Sequence, residues 1–301
     1  MSRIGFIGLG NMGTPMAVNL VKAGHDMLGF DVSAAACQRA QDAGITIVAD
    51  MAAAVREAEI VITMLPNGEL VLDCYRGPNG LLQASRPGTL LIDCSTIDVA
   101  DAREAIAAAV QAGHSALDAP VSGGVGGAAQ ATLTFMVGGS TDSFARARPV
   151  LEVLGSKIVH CGEAGAGQSA KICNNMILGI SMIAVSEAFV LAEKLGLSHQ
   201  ALFEVASTAS GQCWALTSNC PVPGPLPTSP ANRDYRPGFS AALMLKDMKL
   251  SQQAAGAFGA ETSLGREATA LYERYVGAGG AEMDFSAIIK DIRTRSGGTH
   301  D

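Results

Sequence analysis

The sequence predicts a doubly wound α/β domain with a mainly parallel sheet over residues 1–163, followed by an all-α domain over residues 164–301. Three observations predict this division. In the first half, short apolar runs alternate with Ala-rich amphipathic runs, which is typical of parallel strands covered by helices on both faces. A glycine-rich turn, GLGNMG, follows the first apolar run. After about Gly162 the strand signals stop, and the pattern is helical nearly to the end.

The elements of the first domain follow from the period of the apolar residues. Helices are predicted from Thr14 to Ala23 and over SAAACQRAQDAG. Continuous apolar runs separated by such helices predict the strands of a parallel sheet. The predicted strands are RIGFIG, DMLGF, IVITML and TLLID, with further strands at SALDA, LTFMVGG and KIVHC.

The second domain is predicted to form around one long helix. The segment ICNNMILGISMIAVSEAFVLAEKLG is long enough to be its central element. The segment CPVPGPLPTSPANRDYRPG interrupts the helical pattern and holds six of the twelve prolines. Such a segment is a linker, a Pro-rich ligand for a partner domain, or an ordered loop. Apolar helical sequence on both sides favours the ordered loop.

Composition excludes several classes of function. The chain has 301 residues, of which 48% are hydrophobic and 16% charged, so a large buried interior is expected. A net charge of −7 without a basic stripe argues against nucleic-acid binding. The seven scattered cysteines indicate reduced thiols and no metal-ligand cluster. Because Gly, Pro, Asn or Ser interrupts each apolar stretch and MSR leads directly into a strand, we expect a cytoplasmic protein without a membrane span or targeting peptide.

The turn GLGNMG has the spacing of a dinucleotide-binding loop. It lies between a predicted strand and a predicted helix, the context in which such glycines bind a pyrophosphate at the helix N-terminus. Asp31 follows Gly13 by 18 residues and ends the second strand, where a carboxylate accepts the ribose hydroxyls of NAD and repels the 2′-phosphate of NADP. Alternatively Asp31 caps the next helix, a role for which Ser33 competes. The candidate cofactor residues of the turn are Gly8, Leu9, Gly10, Asn11, Met12 and Gly13.

Two later segments suggest where a substrate binds. In DAPVSGGVGG, the small residues Ser122, Gly123 and Gly124 can form a backbone nest for an anion, or else a flexible surface loop. Lys171 and Asn175 are four residues apart, hence on one face of a helix. The ammonium of Lys171 extends into water, pairs with a counter-ion, or gives up its proton. Burial favours the last, because it lowers the pKa of a lysine and makes it a base.

Four successive motifs resemble those of the β-hydroxyacid dehydrogenase family: FIGLGNMGTPMAVNL, DAPVSGG, GAGQSAKICNN and LMLKDMKL. The resemblance extends nearly from end to end. It implies a Rossmann domain, an all-helical domain, NAD as cofactor and Lys171 as general acid/base. It further implies substrate contacts at Ser122, Gly123, Gly124 and Asn175, and cofactor contacts at Leu65, Pro66, Thr96 and Lys246.

Two short segments, SGQCW and NCPVPG, resemble the branch of this family that acts on 3-hydroxyisobutyrate. The implied reaction is oxidation to methylmalonate semialdehyde in valine degradation, and the alternative substrates are L-serine or a range of 3-hydroxy acids. Asn174 stands where the related 6-phosphogluconate dehydrogenases have histidine, which argues against a phosphorylated sugar acid. Trp214 either shapes the substrate pocket or belongs to the core. The long apolar helices suggest a homodimer or homotetramer.

Overall fold

The computed structural model describes residues 1–297. The chain divides into two compact units, Met1–Lys171 and the residues from Ile172 onward. In the first unit, strands and helices alternate as the sequence predicts. In chain order they are β1 (Arg3–Ile7), α1 (Gly13–Lys22), β2 (Asp26–Phe30), α2 (Ala34–Asp42), β3 (Thr46–Ile47), α3 (Met51–Val55), β4 (Ile60–Thr63), α4 (Gly68–Arg76), α5 (Leu81–Ala84), β5 (Leu90–Asp93), α6 (Val99–Gln111), β6 (Ser115–Asp118), β7 (Val121–Ser122), α7 (Gly124–Gln130), β8 (Leu133–Gly138), α8 (Thr141–Leu154) and β9 (Gly155–Gly162).

The nine strands form one sheet in the order β3-β2-β1-β4-β5-β6-β8-β7, with β9 also paired to β8. The first six strands of this order are parallel. Strand β8 runs antiparallel to β6 and β7. The order 3-2-1-4-5-6 is that of the Rossmann fold, whose ligands bind at the carboxyl ends of the strands where the order reverses. The predicted fold class is confirmed, and this reversal lies between β1 and β4.

Both faces of the sheet are buried, which explains the continuous apolar strands. Along β1, Ile4 and Phe6 contribute to one buried cluster and Ile7 to another. Along β4, Ile62 joins the first cluster and Val61 the second. Because successive side chains of a strand point to opposite faces, each strand supplies both layers.

The second unit is helical. Its first helix, α9, begins in the first unit and continues across the boundary at Lys171. The apolar core includes the fully buried Met182, Met244, Tyr272 and Ile288. In chain order the helices are α9 (Ala166–Lys194), α10 (His199–Ala206), α11 (Trp214–Thr217), α12 (Ala241–Phe258), α13 (Ser263–Tyr275) and α14 (Ile288–Arg295), with short 3₁₀ segments at Pro230–Arg233 and Phe285–Ala287 and a π segment at Val276–Gly280.

Helix α9 differs from the sequence expectation in one respect. Its Asn, Ser and Gly residues do not interrupt it, so by length and composition alone it is apolar enough to cross a membrane, with a mean hydropathy of 1.8. Half of that apolar stretch is buried inside the fold. Long core helices of globular domains share this length and composition, so α9 alone does not indicate a membrane span.

The Pro-rich segment is an ordered loop, as predicted. Cys220 and Val222 are fully buried. The Tyr235 hydroxyl donates to the Pro221 carbonyl at 2.7 Å, and the Asn232 side-chain amide donates to the Leu226 carbonyl at 2.8 Å. These hydrogen bonds close the loop on itself, so it is part of the second unit rather than a linker.

Candidate active site

The glycine turn after β1 has the shape that a dinucleotide requires. Gly8 has a φ of +95°, and a Cβ at this position would collide with the Met64 carbonyl. A Cβ at Gly13 would collide with the Gly8 carbonyl. Gly10, by contrast, is exposed and faces open space. The packed glycines hold the turn tight and the exposed one lets a pyrophosphate approach the backbone, so these residues fit NAD.

Asp31 lies beside this turn at the end of β2. Its Oδ2 accepts the Leu9 backbone N–H and its Oδ1 accepts the Ser33 backbone N–H, both at 2.7 Å. Ser33, not Asp31, is the N-cap of α2, because its Oγ accepts the Ala36 N–H at 3.3 Å. The capping alternative for Asp31 is therefore wrong. Each carboxylate oxygen has a second lone pair for a ribose hydroxyl.

A buried carboxyl group ties together the loops after β4 and β5. The hydroxyls of Thr63 and Ser95 both donate to Asp93 Oδ1, at 2.7 and 2.6 Å. Ser95 Oγ in turn accepts the Leu65 N–H at 2.8 Å, so the two loops that carry Leu65 and Thr96 share one network. Burial raises the pKa of Asp93 to about 6, against the opposing effect of the Ser95 and Thr63 hydrogen bonds.

The predicted anion nest is a strand-to-helix turn rather than an irregular loop. Ser122 ends β7, where it pairs with Thr134 of β8. Gly123 and Gly124 follow with φ values of +133° and +61°, and α7 begins at Gly124. Only glycine adopts such a conformation readily at two successive positions. Ser122 and Gly124 are half-buried and Gly123 is exposed.

Lys171 lies in the second turn of α9, with Asn175 one turn further along the same helix. Lys171 is 7% exposed and Asn175 is 1% exposed. Both therefore lie on the buried side of the helix. The alternative in which Lys171 extends its ammonium into water is wrong. An exposed asparagine, Asn174, donates its side-chain amide to Asn175 Oδ1 at 3.0 Å.

Sequence reasoning missed a buried acid that binds Asn175. The Asn175 Nδ2 donates to Asp247 Oδ2 at 2.5 Å, and Asp247 is 2% exposed. Lys246 Nζ lies 3.6 Å from Asp247 Oδ1, which is an ion pair but too long for a hydrogen bond. The signal was present, since Asp247 stands in the motif LMLKDMKL, beside Lys246.

The structure gathers only part of the predicted set at one edge. The Gly8–Gly13 turn, Asp31, Leu65–Pro66 and Thr96 follow β1, β2, β4 and β5, which are neighbours in the sheet. Asn175, Trp214 and Lys246 belong to the second unit. Trp214 is 55% exposed at the start of α11, so the core alternative for it is wrong.

Two family models match the chain. Residues 3–162 match the NAD binding domain of 6-phosphogluconate dehydrogenase. Residues 165–292 match the model described as NAD-binding of NADP-dependent 3-hydroxyisobutyrate dehydrogenase. That description names NADP, but in this chain an acid, Asp31, directly follows β2, and an acid at this position selects NAD. The first unit is thus an NAD-binding domain, and the cofactor is NAD.

Full-length relatives agree with these models. The solved structure of Mycobacterium tuberculosis 3-hydroxyisobutyrate dehydrogenase with L-serine is 56% identical, with a TM-score of 0.93 over 97% of this chain and 99% of that one. The human mitochondrial 3-hydroxyisobutyrate dehydrogenase is 43% identical over 96% of this chain and 86% of its own length. The NAD-dependent L-serine dehydrogenase of Pseudomonas aeruginosa is 46% identical over 96% and 97%. Sharing its fold, its cofactor domain and nearly its whole length with these oxidoreductases, the chain belongs to the β-hydroxyacid dehydrogenase family.

Proposed function

We propose that this enzyme oxidises 3-hydroxyisobutyrate to methylmalonate semialdehyde, a step of valine degradation, and that Lys171 is its general acid/base. The observation that carries the proposal is the burial of Lys171 on the face of α9 that also carries Asn175. A lysine withdrawn from water is destabilised as an ammonium and is suited to accept a proton. The relatives named 3-hydroxyisobutyrate dehydrogenase support the choice of substrate.

When bound to the first unit, NAD would supply the acceptor for the hydride, the hydrogen that leaves the carbinol carbon of the substrate with its electron pair. Neutral Lys171 removes the hydroxyl proton and returns it in the reverse reaction. The Asn175 side chain, held by Asp247, orients the hydroxyl group. The turn at Ser122, Gly123 and Gly124 binds the substrate carboxylate through backbone N–H groups.

The cofactor contacts are proposed in the same way. The glycine turn receives the pyrophosphate, and Asp31 accepts the hydroxyls of the adenosine ribose. Leu65, Pro66, Thr96 and Lys246 complete the cofactor set, and Trp214 lines the substrate pocket. We assign residues 1–163 to NAD binding and residues 164–301 to substrate binding and self-association.

L-Serine is the second candidate substrate. It differs from 3-hydroxyisobutyrate by an ammonium group in place of a methyl group, at the carbon next to the carboxylate. Two observations favour it: the 46% identical relative is named an L-serine dehydrogenase, and the 56% identical relative was solved with L-serine. Both substrates use the same base and the same carboxylate site, so they differ only in the pocket around one substituent.

Formation of NADH by the purified protein with 3-hydroxyisobutyrate, L-serine, 3-hydroxypropionate and lactate tests the proposal. We expect the highest kcat/KM for 3-hydroxyisobutyrate. Lactate is the control, because its hydroxyl is on the carbon next to the carboxylate and lies out of reach of a base positioned for 3-hydroxy acids. Higher kcat/KM for L-serine would replace the substrate and keep the mechanism. Oxidation of lactate alone would refute the mechanism.

We propose further that the enzyme is a cytoplasmic homodimer or homotetramer. An apolar groove of about 250 Å³ lies between α9, α10 and α11. Exposed apolar side chains occur on the same stretch of chain, such as Leu195, directly after α9, at 74%, and Val205, in α10, at 65%. Large exposed apolar patches commonly mark interfaces. Sedimentation equilibrium at micromolar concentration tests the oligomer, and a monomer would refute it. The seven free thiols suit a reducing compartment, which fractionation of the native cells tests.

A further inference from the structure

Gln168 is a fully buried side chain that the proposed mechanism does not use. It lies in the first turn of α9 at 0% exposure, three residues before Lys171. Its Nε2 donates to the Ser95 carbonyl at 2.7 Å, and its Oε1 accepts the Ile97 N–H at 3.1 Å. Both ends of the amide are therefore bound to the backbone on either side of Thr96.

The Gln168 side chain binds this segment at two backbone atoms. The Ser95 carbonyl and the Ile97 N–H lie on either side of Thr96 in the chain, and both face Gln168. The amide supplies a donor to the first and an acceptor to the second. The orientation of the amide is set by chemistry, because only its N–H group can bind a carbonyl and only its oxygen can bind an N–H.

Both sides of this contact are themselves fixed. The carboxylate of Asp118 accepts the N–H groups of Gly165 and Gln168, each at 2.8 Å, and so holds the first turn of α9. On the other side, the Ser95 hydroxyl and N–H both donate to Asp93. Gln168 is the link between two anchored segments, one carrying Thr96 and the other carrying Lys171.

We propose that Gln168 is a positioning residue, which sets the place of Lys171 relative to the Thr96 segment. The inference rests on the proposed roles of Lys171 at the substrate and Thr96 at the cofactor. Proton removal and hydride transfer occur on the same substrate molecule. Lys171 must therefore reach the hydroxyl group while the nicotinamide would lie against the carbinol carbon. A displacement of about 1 Å in such an arrangement lowers the rate by up to about 10²-fold.

Two variants test the proposal. Gln168→Leu removes both hydrogen bonds and leaves the Ser95 carbonyl and the Ile97 N–H unbound. Gln168→Glu keeps the shape, but its carboxylate faces the Ser95 carbonyl and repels it. When protonated, the same carboxyl group donates to that carbonyl and accepts the Ile97 N–H, which restores the original contacts.

For Gln168→Leu we expect kcat to fall about 10- to 100-fold, with the Kd for NAD within threefold of the parent. The deuterium isotope effect on kcat with substrate deuterated at the carbinol carbon is expected to rise, because hydride transfer becomes slower. For Gln168→Glu, the ratio of its kcat to that of the parent is expected to rise as the pH is lowered. A purely structural role would move neither the isotope effect nor this ratio.

Thr89→Val is the matched control. Thr89 is 1% exposed in the same unit, and its hydroxyl donates to the carbonyls of Ala58 and Arg86 before β5 begins, away from the carboxyl edge. We expect it to lower the melting temperature and leave kcat unchanged. Parent-like kcat and isotope effect in both Gln168 variants would overturn the inference. Lys171→Ala, assayed in parallel, separates the role of Lys171 from that of Gln168. Parent-like turnover of Lys171→Ala would refute the proposed function. Loss of turnover in Lys171→Ala, together with parent-like turnover of both Gln168 variants, would refute only the role of Gln168.

Discussion

Asp93 makes the stability of the enzyme depend on pH in a direction opposite to that of most carboxylates. Its side chain is 4% exposed, and among residues 1–297 its Oδ2 has no hydrogen-bond partner, while Oδ1 accepts from Thr63 and Ser95. Burial raises the pKa of Asp93 from 3.8 to about 6. The hydrogen bonds from Ser95 and Thr63 oppose this rise, and the nearby charge of Asp118 adds a smaller increase. The folded protein therefore retains this proton at pH values where the unfolded chain has released it.

The sign follows from proton binding. Between about pH 4 and pH 6 the unfolded state binds fewer protons than the folded state, so the free energy of unfolding falls as the pH rises. A difference of one in pKa corresponds to about 1.4 kcal/mol, so the whole contribution of Asp93 to the free energy of unfolding is about 3 kcal/mol, and about 2 kcal/mol of it is lost between pH 4 and pH 6. The stabilisation is present below about pH 4 and lost above about pH 6.

Asp93→Asn removes the titration and keeps the shape of the side chain. The free energy of unfolding, from urea titrations followed by circular dichroism at pH 4.5, 5.5, 6.5 and 7.5, gives the difference between variant and parent. We expect this difference to change by about 2 kcal/mol in favour of the variant between pH 4.5 and pH 7.5. Asp42→Asn, which changes an exposed residue of α2, is the control and should shift stability by less than about 0.5 kcal/mol. A difference that is constant with pH, or that grows in favour of the parent, would show that Asp93 is ionised in the folded protein.

Three further predictions concern the site. Asp31→Ala removes the acceptor of the Leu9 N–H and should lower kcat/KM for NAD relative to NADP about 10- to 100-fold. This corresponds to the loss of a charge-assisted hydrogen bond of about 1.5–3 kcal/mol. Equal use of both cofactors by the parent would refute the role of Asp31. Gly123→Val should raise KM for the acid and leave the Kd for NAD unchanged, whereas weaker NAD binding alone would assign the turn to the cofactor. Asp247→Ala leaves Asn175 without its buried acceptor and should lower kcat/KM for the acid about 10-fold or more with NAD binding retained; an unchanged value would remove Asn175 from the substrate site.

The parts of the fold that were predictable from sequence are those with a local signal. Seven strands follow from continuous apolar runs, and the glycine turn follows from its spacing and context. The two-residue strands β3 and β7 have no such signal, because a period of two cannot be recognised over two residues. The 3₁₀ segment Pro230–Arg233 within the Pro-rich loop is likewise a single turn, too short to show a helical period.

The residues of the candidate site that were predictable are those whose own position in the sequence is recognisable. Lys171 is conspicuous as a charge beside a long apolar stretch, and Asp31 has a characteristic distance from the turn. Gln168 and Asp247 act through contacts with residues 73 and 72 positions away in the chain. A buried glutamine or aspartate has no pattern of its own, and its partner is set by tertiary packing. Those residues therefore required the structure.

The role of Lys171 as general acid/base is decided by the turnover of Lys171→Ala with saturating NAD and 3-hydroxyisobutyrate. We expect a kcat about 10²- to 10⁴-fold below that of the parent, the range typical of a lost general acid/base, with the Kd for NAD retained. Lys171→Arg should be equally inactive, because guanidinium does not release its proton at usable pH. The parent's turnover should increase with pH along a limb that both variants lack. Near-parent turnover in Lys171→Ala at neutral pH would refute this role and leave Lys171 as a structural residue of α9.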